Sequence, residues 1–207
     1  MRVEVRRDLG DSAHDFLRVV WPAVSKIVGG GDLRPVEAVA SKGFQADLDQ
    51  LAGIDAWQVV QGKGIRGISS RIQWIAPGKP VFRTFTIRKS RRSGAKTEWD
   101  KRIEGIANRQ AGFIAPHLLV HAYIQTPRRA GRLLYVAVCR VDDLFDFASE
   151  NHRGTVWIER SAPDGNTFAA FRVDALRRKG VKIRAVDLTS SQSQPALPLG
   201  VAQEAAE

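Results

Sequence analysis

The hydrophobic period of the chain changes at Gly53. Upstream, residues 12–28 (SAHDFLRVVWPAVSKIV) put Phe16, Val20, Ala23 and Ile27 on one helical face, with Asp11 or Ser12 as N-cap and Gly29–Gly31 as the stop. Pro22 is expected to kink or interrupt this helix, and a second short helix is expected at 35–40 or 47–52. Downstream, IDAWQVVQ, GIRGISSRIQW and VFRTFTIRKSR are short runs rich in Ile, Val, Trp, Phe and Thr, divided by GKG and APGKP turn signals. They predict three consecutive strands in a meander. Thr97 then opens the clearest helix, TEWDKRIEGIANRQAG, with Thr97 and Asp100 as a capping pair, Trp99, Ile103 and Ile106 on one face and Gly112 as terminator. PHLLVHAYIQ (116–125) and RLLYVAVCRV (132–141) read as two long apolar strands joined by TPRRAG, and DDLFDFAS reads as a short helix. GTVWIER and TFAAFRV flank APDGN as a hairpin, and ALRRKGVKIRAV closes the ordered chain. Helix, three strands, helix and further strands make an α+β (mixed α/β) fold, a central mixed β-sheet flanked by helices.

The 207 residues fit one domain over 1–187, followed by a disordered tail over 188–207 that has no Lys or Arg, two Glu and no sustained periodicity. No apolar run approaches the roughly 20 residues that span a bilayer, and MRVEVRRDLGD has no apolar core of a signal peptide. The expectation is a cytoplasmic protein with no membrane partner. A single cysteine, Cys139, excludes an internal disulfide scaffold, and no Cys/His cluster has zinc-site spacing.

Charge is the unusual property. Against 22 acids stand 32 Lys and Arg, a net charge of +10, and without the tail's −2 the remainder carries +12. Such a field draws polyanions, of which nucleic acid is the commonest inside cells. The excess concentrates in 83–102, with eight basic residues against two acids, in 126–132, and in 172–184, with six against Asp174. Arg88, Lys89, Arg91, Arg92, Lys96, Arg128, Arg129, Arg177 and Arg178 are therefore candidates for contacts to the phosphate backbone, in a weakly sequence-selective mode. Exposed tryptophans among Trp57, Trp74, Trp99 and Trp157 would stack on bases, but their strand and helix-face positions favour the core.

Weaker motifs have ordinary readings. Gly62-Lys63-Gly64-Ile65-Arg66-Gly67 fits GxGxxG but is followed by a strand instead of a helix, so its glycines shape a turn. His117 and His121 share a strand face and would make two metal ligands, or two hydrogen-bonded histidines. Cys139 belongs to the core.

The strongest constellation lies between Phe44 and Arg92. A small acidic helix (Asp47-Leu48-Asp49) leads to Gly53-Ile54-Asp55 at a strand start, and Ser69, Arg71 and Gln73 share one face of the next strand. Asp55 beside that row is a candidate ligand for a divalent cation, with the Gln73 oxygen or a backbone carbonyl as a hard second ligand and a basic residue alongside for phosphate. Over residues 35–125 this order resembles the PD-(D/E)xK, or restriction-endonuclease-like, nuclease superfamily. There an Asp follows Gly-Ile or a similar dipeptide, an (Asp/Glu/Gln)-x-Lys row occupies the neighbouring strand, and an upstream helical acid assists. The resemblance implies a restriction-endonuclease-like core with extra C-terminal strands and a catalytic set of Asp55, Gln73 and Arg71. It implies Asp55 as a magnesium ligand, with Glu37, Asp47 or Asp49 as the upstream acid and Asp49 as the second metal ligand. The sequence departs from the pattern at Ile75, which stands where lysine is expected after Gln73. The other register, Ser69-Ser70-Arg71, supplies a base without an acid, and Arg88 or Lys89 would be a migrated charge. The expected function is nucleic-acid binding, DNA ahead of RNA, with Mg²⁺-dependent phosphodiester hydrolysis. The alternative is a non-catalytic binding or assembly subunit, and a third reading is an enzyme acting on a small phosphorylated substrate.

Overall fold

The computed structural model describes residues 10–36, 53–148 and 150–189. The expected helices at 35–40 and 47–52 lie almost wholly outside the described residues, as do Glu37, Asp47 and Asp49. The N-terminal helix runs through residues 10–15, a π-helical stretch over Phe16–Val20 and α1 (Trp21–Val28), ending at left-handed Gly29. Pro22 sits in the first turn of α1, where a missing N–H is tolerated. The interruption expected there takes the form of the π turn just before it.

Strands β1 (Asp32–Pro35), β2 (Ala56–Val60) and β3 (Gly64–Ile75) make antiparallel neighbours, and the GKG segment turns the β2–β3 hairpin. The anticipated meander ends here. Instead of pairing with β3, β4 (Thr84–Ser90) joins a separate three-stranded sheet with β8 (Thr167–Arg172) and β7 (Trp157–Ser161). After β4, α2 (Glu98–Ala107) crosses over and returns the chain to β5 (Leu118–Gln125), which runs parallel to β3 from Ile68↔Leu118 to Ile75↔Gln125. That pairing fills the edge of β3 that a meander would have used. Antiparallel β6 (Leu133–Arg140) and β9 (Arg184–Asp187) complete a six-stranded mixed sheet in the order β1-β2-β3-β5-β6-β9. Short helices α3 (Val141–Phe145) and α4 (Val173–Arg178) follow β6 and β8. The fold is α+β, with a large mixed sheet and few helices.

Both faces of the central strands are covered, so β5 and β6 are buried along nearly their whole length. One face packs Ile68, Ile72, Val120, Ala122 and Val136 against Phe16, Val20 and Val24 of the N-terminal helix. The other packs Leu119, Tyr123 and Tyr135 beneath Phe85 and Ile87 of β4, Phe171 of β8 and Trp157 of β7. Burying Phe85 and Ile87 in this layer holds β4 above the main sheet. Cys139 is in this core, and burial pushes its thiol up.

Thr97 caps α2 as the sequence predicts. Its hydroxyl accepts from the Asp100 N–H at 3.4 Å while Asp100 Oδ2 accepts from the Thr97 N–H at 2.9 Å. Thr97→Ala is expected to cost about 1 kcal/mol, read as a lower thermal midpoint, with Thr97→Ser close to the parent. The face of α2 differs from the expectation: Arg102 and Gly105 turn inward with Trp99 and Ile106 partly buried, whereas Ile103 is 47% exposed. At the other end of the chain, Leu188 donates its N–H to the Leu134 carbonyl and Thr189 bonds Asp187, so the packed structure reaches two residues into the expected tail. The rest of that tail lies outside the described residues. Among the described residues no helix is long and apolar enough to cross a membrane.

Candidate functional site

Asp55 stands just before β2 and is pinned there by its backbone: its N–H donates to the Ile68 carbonyl at 2.9 Å and its own carbonyl accepts from Val36. Pairing of Ala56 with Ile68 then fixes what lies beside it. Its Oδ2 accepts from the Ser70 N–H at 2.6 Å and from Ser70 Oγ at 3.4 Å. Of the two registers open in the sequence, the fold brings Ser69-Ser70-Arg71 to Asp55. Gln73 is four residues beyond Ser69, about 13 Å along an extended strand, and lines a different hollow with Trp74, Lys79 and Phe82.

Helix α2 roofs the site. Glu98, Lys101 and Arg102 fall on one side of it, three and four residues apart, and close a cavity of about 120 Å³ over Asp55, Ser69 and Arg71. Arg102 is only 2% exposed; its Nη2 donates to the Gly53 carbonyl at 3.0 Å and to Ser69 Oγ at 2.5 Å. Gly53 is glycine for a steric reason: its φ is +61°, and a Cβ there would lie 2.6 Å from the Arg102 guanidinium. Glu98 Oε2 accepts from Arg71 Nη1 and from the Arg88 N–H, each at 3.3 Å. Phe168 lies under both guanidinium groups, at 5.0 Å from Arg71 and 5.6 Å from Arg88. Burial draws Arg71 below the ordinary arginine range, Glu98 opposes that shift, and the charge of Arg88 adds to it. Arg91 completes the lining, and the Nε atoms of Arg88 and Arg91 are buried without a hydrogen-bond partner.

The other basic candidates are dispersed. Lys89 turns inward between Trp157 and Trp99 and pairs with Glu159 at 3.2 Å and Glu150 at 3.5 Å. Lys96 pairs with Glu104. Arg128 and Arg129 pair with Asp11, Arg128 also lying over Trp74, and Arg178 pairs with Asp174. Arg177 donates to the Ile183 carbonyl beside a separate hollow that holds Arg83, Arg172 and Tyr135. Arg92 is exposed on the turn after β4, its aliphatic stem beside Gly165. Arg71 and Arg91 thus line the cavity with Asp55, and Arg88 stands beside Glu98 and Phe168 next to Arg71, whereas Arg92 and the 126–132 and 172–184 segments are placed elsewhere.

Both histidines accept backbone N–H groups, His117 from Gly67 and His121 from Thr86, each through Nδ1 at 3.1 Å. Among the described residues no group of three His, Cys, Asp or Glu side chains comes together. Magnesium needs hard oxygen ligands in near-octahedral geometry. The described donors to the cavity are Asp55, already held by Ser70, and Glu98, already held by Arg71, within a wall that also carries Arg91, Lys101 and Arg102. This set fits an anion and does not fit a magnesium ion. No protein-family model, curated protein or solved structure matches the chain.

Sequence reasoning missed Glu98, Lys101 and Arg102 as site residues. Lys101 and Arg102 belong to the basic run 83–102, and the signal that joins them to Glu98 is their i, i+3, i+4 spacing opposite a strand with polar Ser69 and Arg71.

Proposed function

We propose that this protein binds nucleic acid through the phosphate backbone, with the cavity between β3 and α2 as the seat of one phosphate. The observation that carries the reading is the cavity itself: four cationic side chains converge on about 120 Å³, and the buried Arg91 Nε has no partner of its own. Guanidinium forks suit phosphate oxygens in both geometry and charge. The overall charge of +10 adds long-range attraction to a polyanion.

A restriction-endonuclease-like core is a finer form of this proposal. Its support is the position of Asp55 ahead of a hairpin strand, Arg71 beside it, and a helical crossover to the parallel strand β5. In that form the nucleic acid is DNA and the protein is a nuclease relative whose site holds phosphate. A cleaving version is tested by plasmid nicking with and without EDTA, and only EDTA-sensitive nicking that Asp55→Ala abolishes would support it.

Binding is tested by fluorescence anisotropy with labelled duplex and single-stranded oligonucleotides over a salt series. Log affinity is expected to fall linearly with log salt, by about 0.9 per duplex phosphate contacted, and Arg91→Ala/Arg92→Ala is expected to weaken every sequence alike. A flat salt response would overturn the reading in favour of a protein partner.

A further inference from the structure

We infer that the cavity between β3 and α2 takes a terminal phosphomonoester of a nucleic-acid strand in preference to an internal phosphodiester. The inference rests on the nucleic-acid reading above and narrows it.

Size is the first argument. At about 120 Å³ the cavity is far below the ~300 Å³ and more of sites that enclose a drug-sized ligand. It has room for a phosphate group and not for a nucleoside. Its walls come from β3, β4, α2, β5 and the segment before β2, represented by Ser69, Thr86, Lys101, Leu119 and Asp55. An internal phosphate would have to carry a nucleoside out on each side, whereas a terminal one needs a single exit.

Charge is the second. Arg71, Arg91, Lys101 and Arg102 against Asp55 and Glu98 leave the described lining at 4 − 2 = +2. A phosphomonoester carries about −1.5 to −2 at neutral pH, while a backbone diester carries a single negative charge. The lining therefore matches the end of a strand better than its middle.

Preorganisation is the third. Arg71 is braced by Glu98 and stacked over Phe168, and Arg102 is tied to Ser69 and Gly53, so neither guanidinium has to be ordered when an anion enters. Arg91 lines the cavity with them and adds a third guanidinium beside an entering anion. The charge of a dianion in the cavity, like that of Glu98, also opposes the burial that draws Arg71 below its usual range.

The test uses the full chain and oligonucleotides of one sequence, labelled internally, that carry a 5′-phosphate, a 3′-phosphate or hydroxyl groups at both ends. One phosphorylated form is expected to bind about tenfold tighter than the hydroxyl form, the size of one added charge-assisted contact. Arg91→Gln is expected to remove that preference, bringing the phosphorylated and hydroxyl forms to the same affinity. Arg71→Gln should do the same where its thermal melt matches the parent, and Arg91→Gln carries the test alone where it does not. Equal affinity for all three oligonucleotides would overturn the end-recognition inference and leave the nucleic-acid reading standing. No binding to any of them would overturn both. A phosphorylated mononucleotide that competes as well as the phosphorylated oligonucleotide would also overturn it, in favour of a small phosphorylated ligand.

Discussion

Replacing Arg102 with methionine is expected to lower the stability of the protein by about 3 kcal/mol, read as the shift in the urea midpoint at constant slope. Methionine keeps most of the aliphatic stem, so the loss isolates the guanidinium. At 2% exposure, Arg102 supplies hydrogen bonds to the Gly53 carbonyl and to Ser69 Oγ. Its removal strands both acceptors where water has poor access, and a buried polar group without a partner costs about 1–3 kcal/mol. Arg102→Lys keeps the charge but not the planar fork, and is expected to recover only part of the loss. Arg102→Met should also weaken binding of a phosphorylated end, because Arg102 ties the segment before Asp55, at Gly53, to the roof of the cavity. A methionine variant with the parental midpoint would show that the contacts of Arg102 contribute nothing net to folding.

Arg102 also shows where the sequence stopped being readable. On a helix whose apolar residues recur at Trp99, Ile103 and Ile106, an arginine reads as solvent-facing. In the fold Ile103 is outside and Arg102 inside, because β3 offers α2 a polar strip, Ser69 and Arg71, in place of an apolar one. Strands were legible wherever their composition and alternation were strong, as in β2, β3, β5 and β6. Their partners were not. VFRTFTIRKSR alternates in the same way whether it pairs with β3 or with β8, and the choice was made by Phe85 and Ile87 meeting Phe171 and Trp157, residues far along the chain. Asp55 was legible as an acid just ahead of a strand. Whether Arg71 or Gln73 stands near it is decided by a hairpin register, set by the turn at Gln61–Lys63 and by Ala56 opposite Ile68, and both residues obey the same two-residue period. Basic runs were legible as charge but not as surface, since Lys89, Arg128, Arg129 and Arg178 end on nearby carboxylates. Net charge predicts a polyanion partner, while the position of each guanidinium depends on which acids the fold brings near it.

His121 sets the expected acid limit of the fold. The imidazole is 1% exposed, stacked on Tyr123 with centroids 5.1 Å apart, and its Nδ1 accepts the Thr86 N–H that helps dock β4 on the main sheet. Accepting at Nδ1 assigns the proton of the neutral ring to Nε2, which is buried without a partner. A second proton on His121 would break the Thr86 bond and bury a cation near Arg71. Burial first, and the charge of Arg71 second, accordingly push its pKa down to about 3. In the unfolded chain the same ring titrates near its ordinary value of about 6.5. As the pH falls through that value the unfolded state takes up a proton that the folded state refuses, so folding loses free energy at up to about 1.4 kcal/mol per pH unit. The contribution is fully present above about 6.5 and is lost down to about 3. Between pH 7 and pH 5 the parent should therefore lose about 2 kcal/mol from this residue. His121→Asn, whose Oδ1 replaces Nδ1 as acceptor and which does not titrate, is expected to start from a lower stability at pH 7 and to lose distinctly less over the same interval. Urea midpoints at pH 7, 6 and 5 measure both. Parallel slopes for the two proteins would show that His121 is protonated in the fold, and that the Thr86 contact does not require a neutral ring.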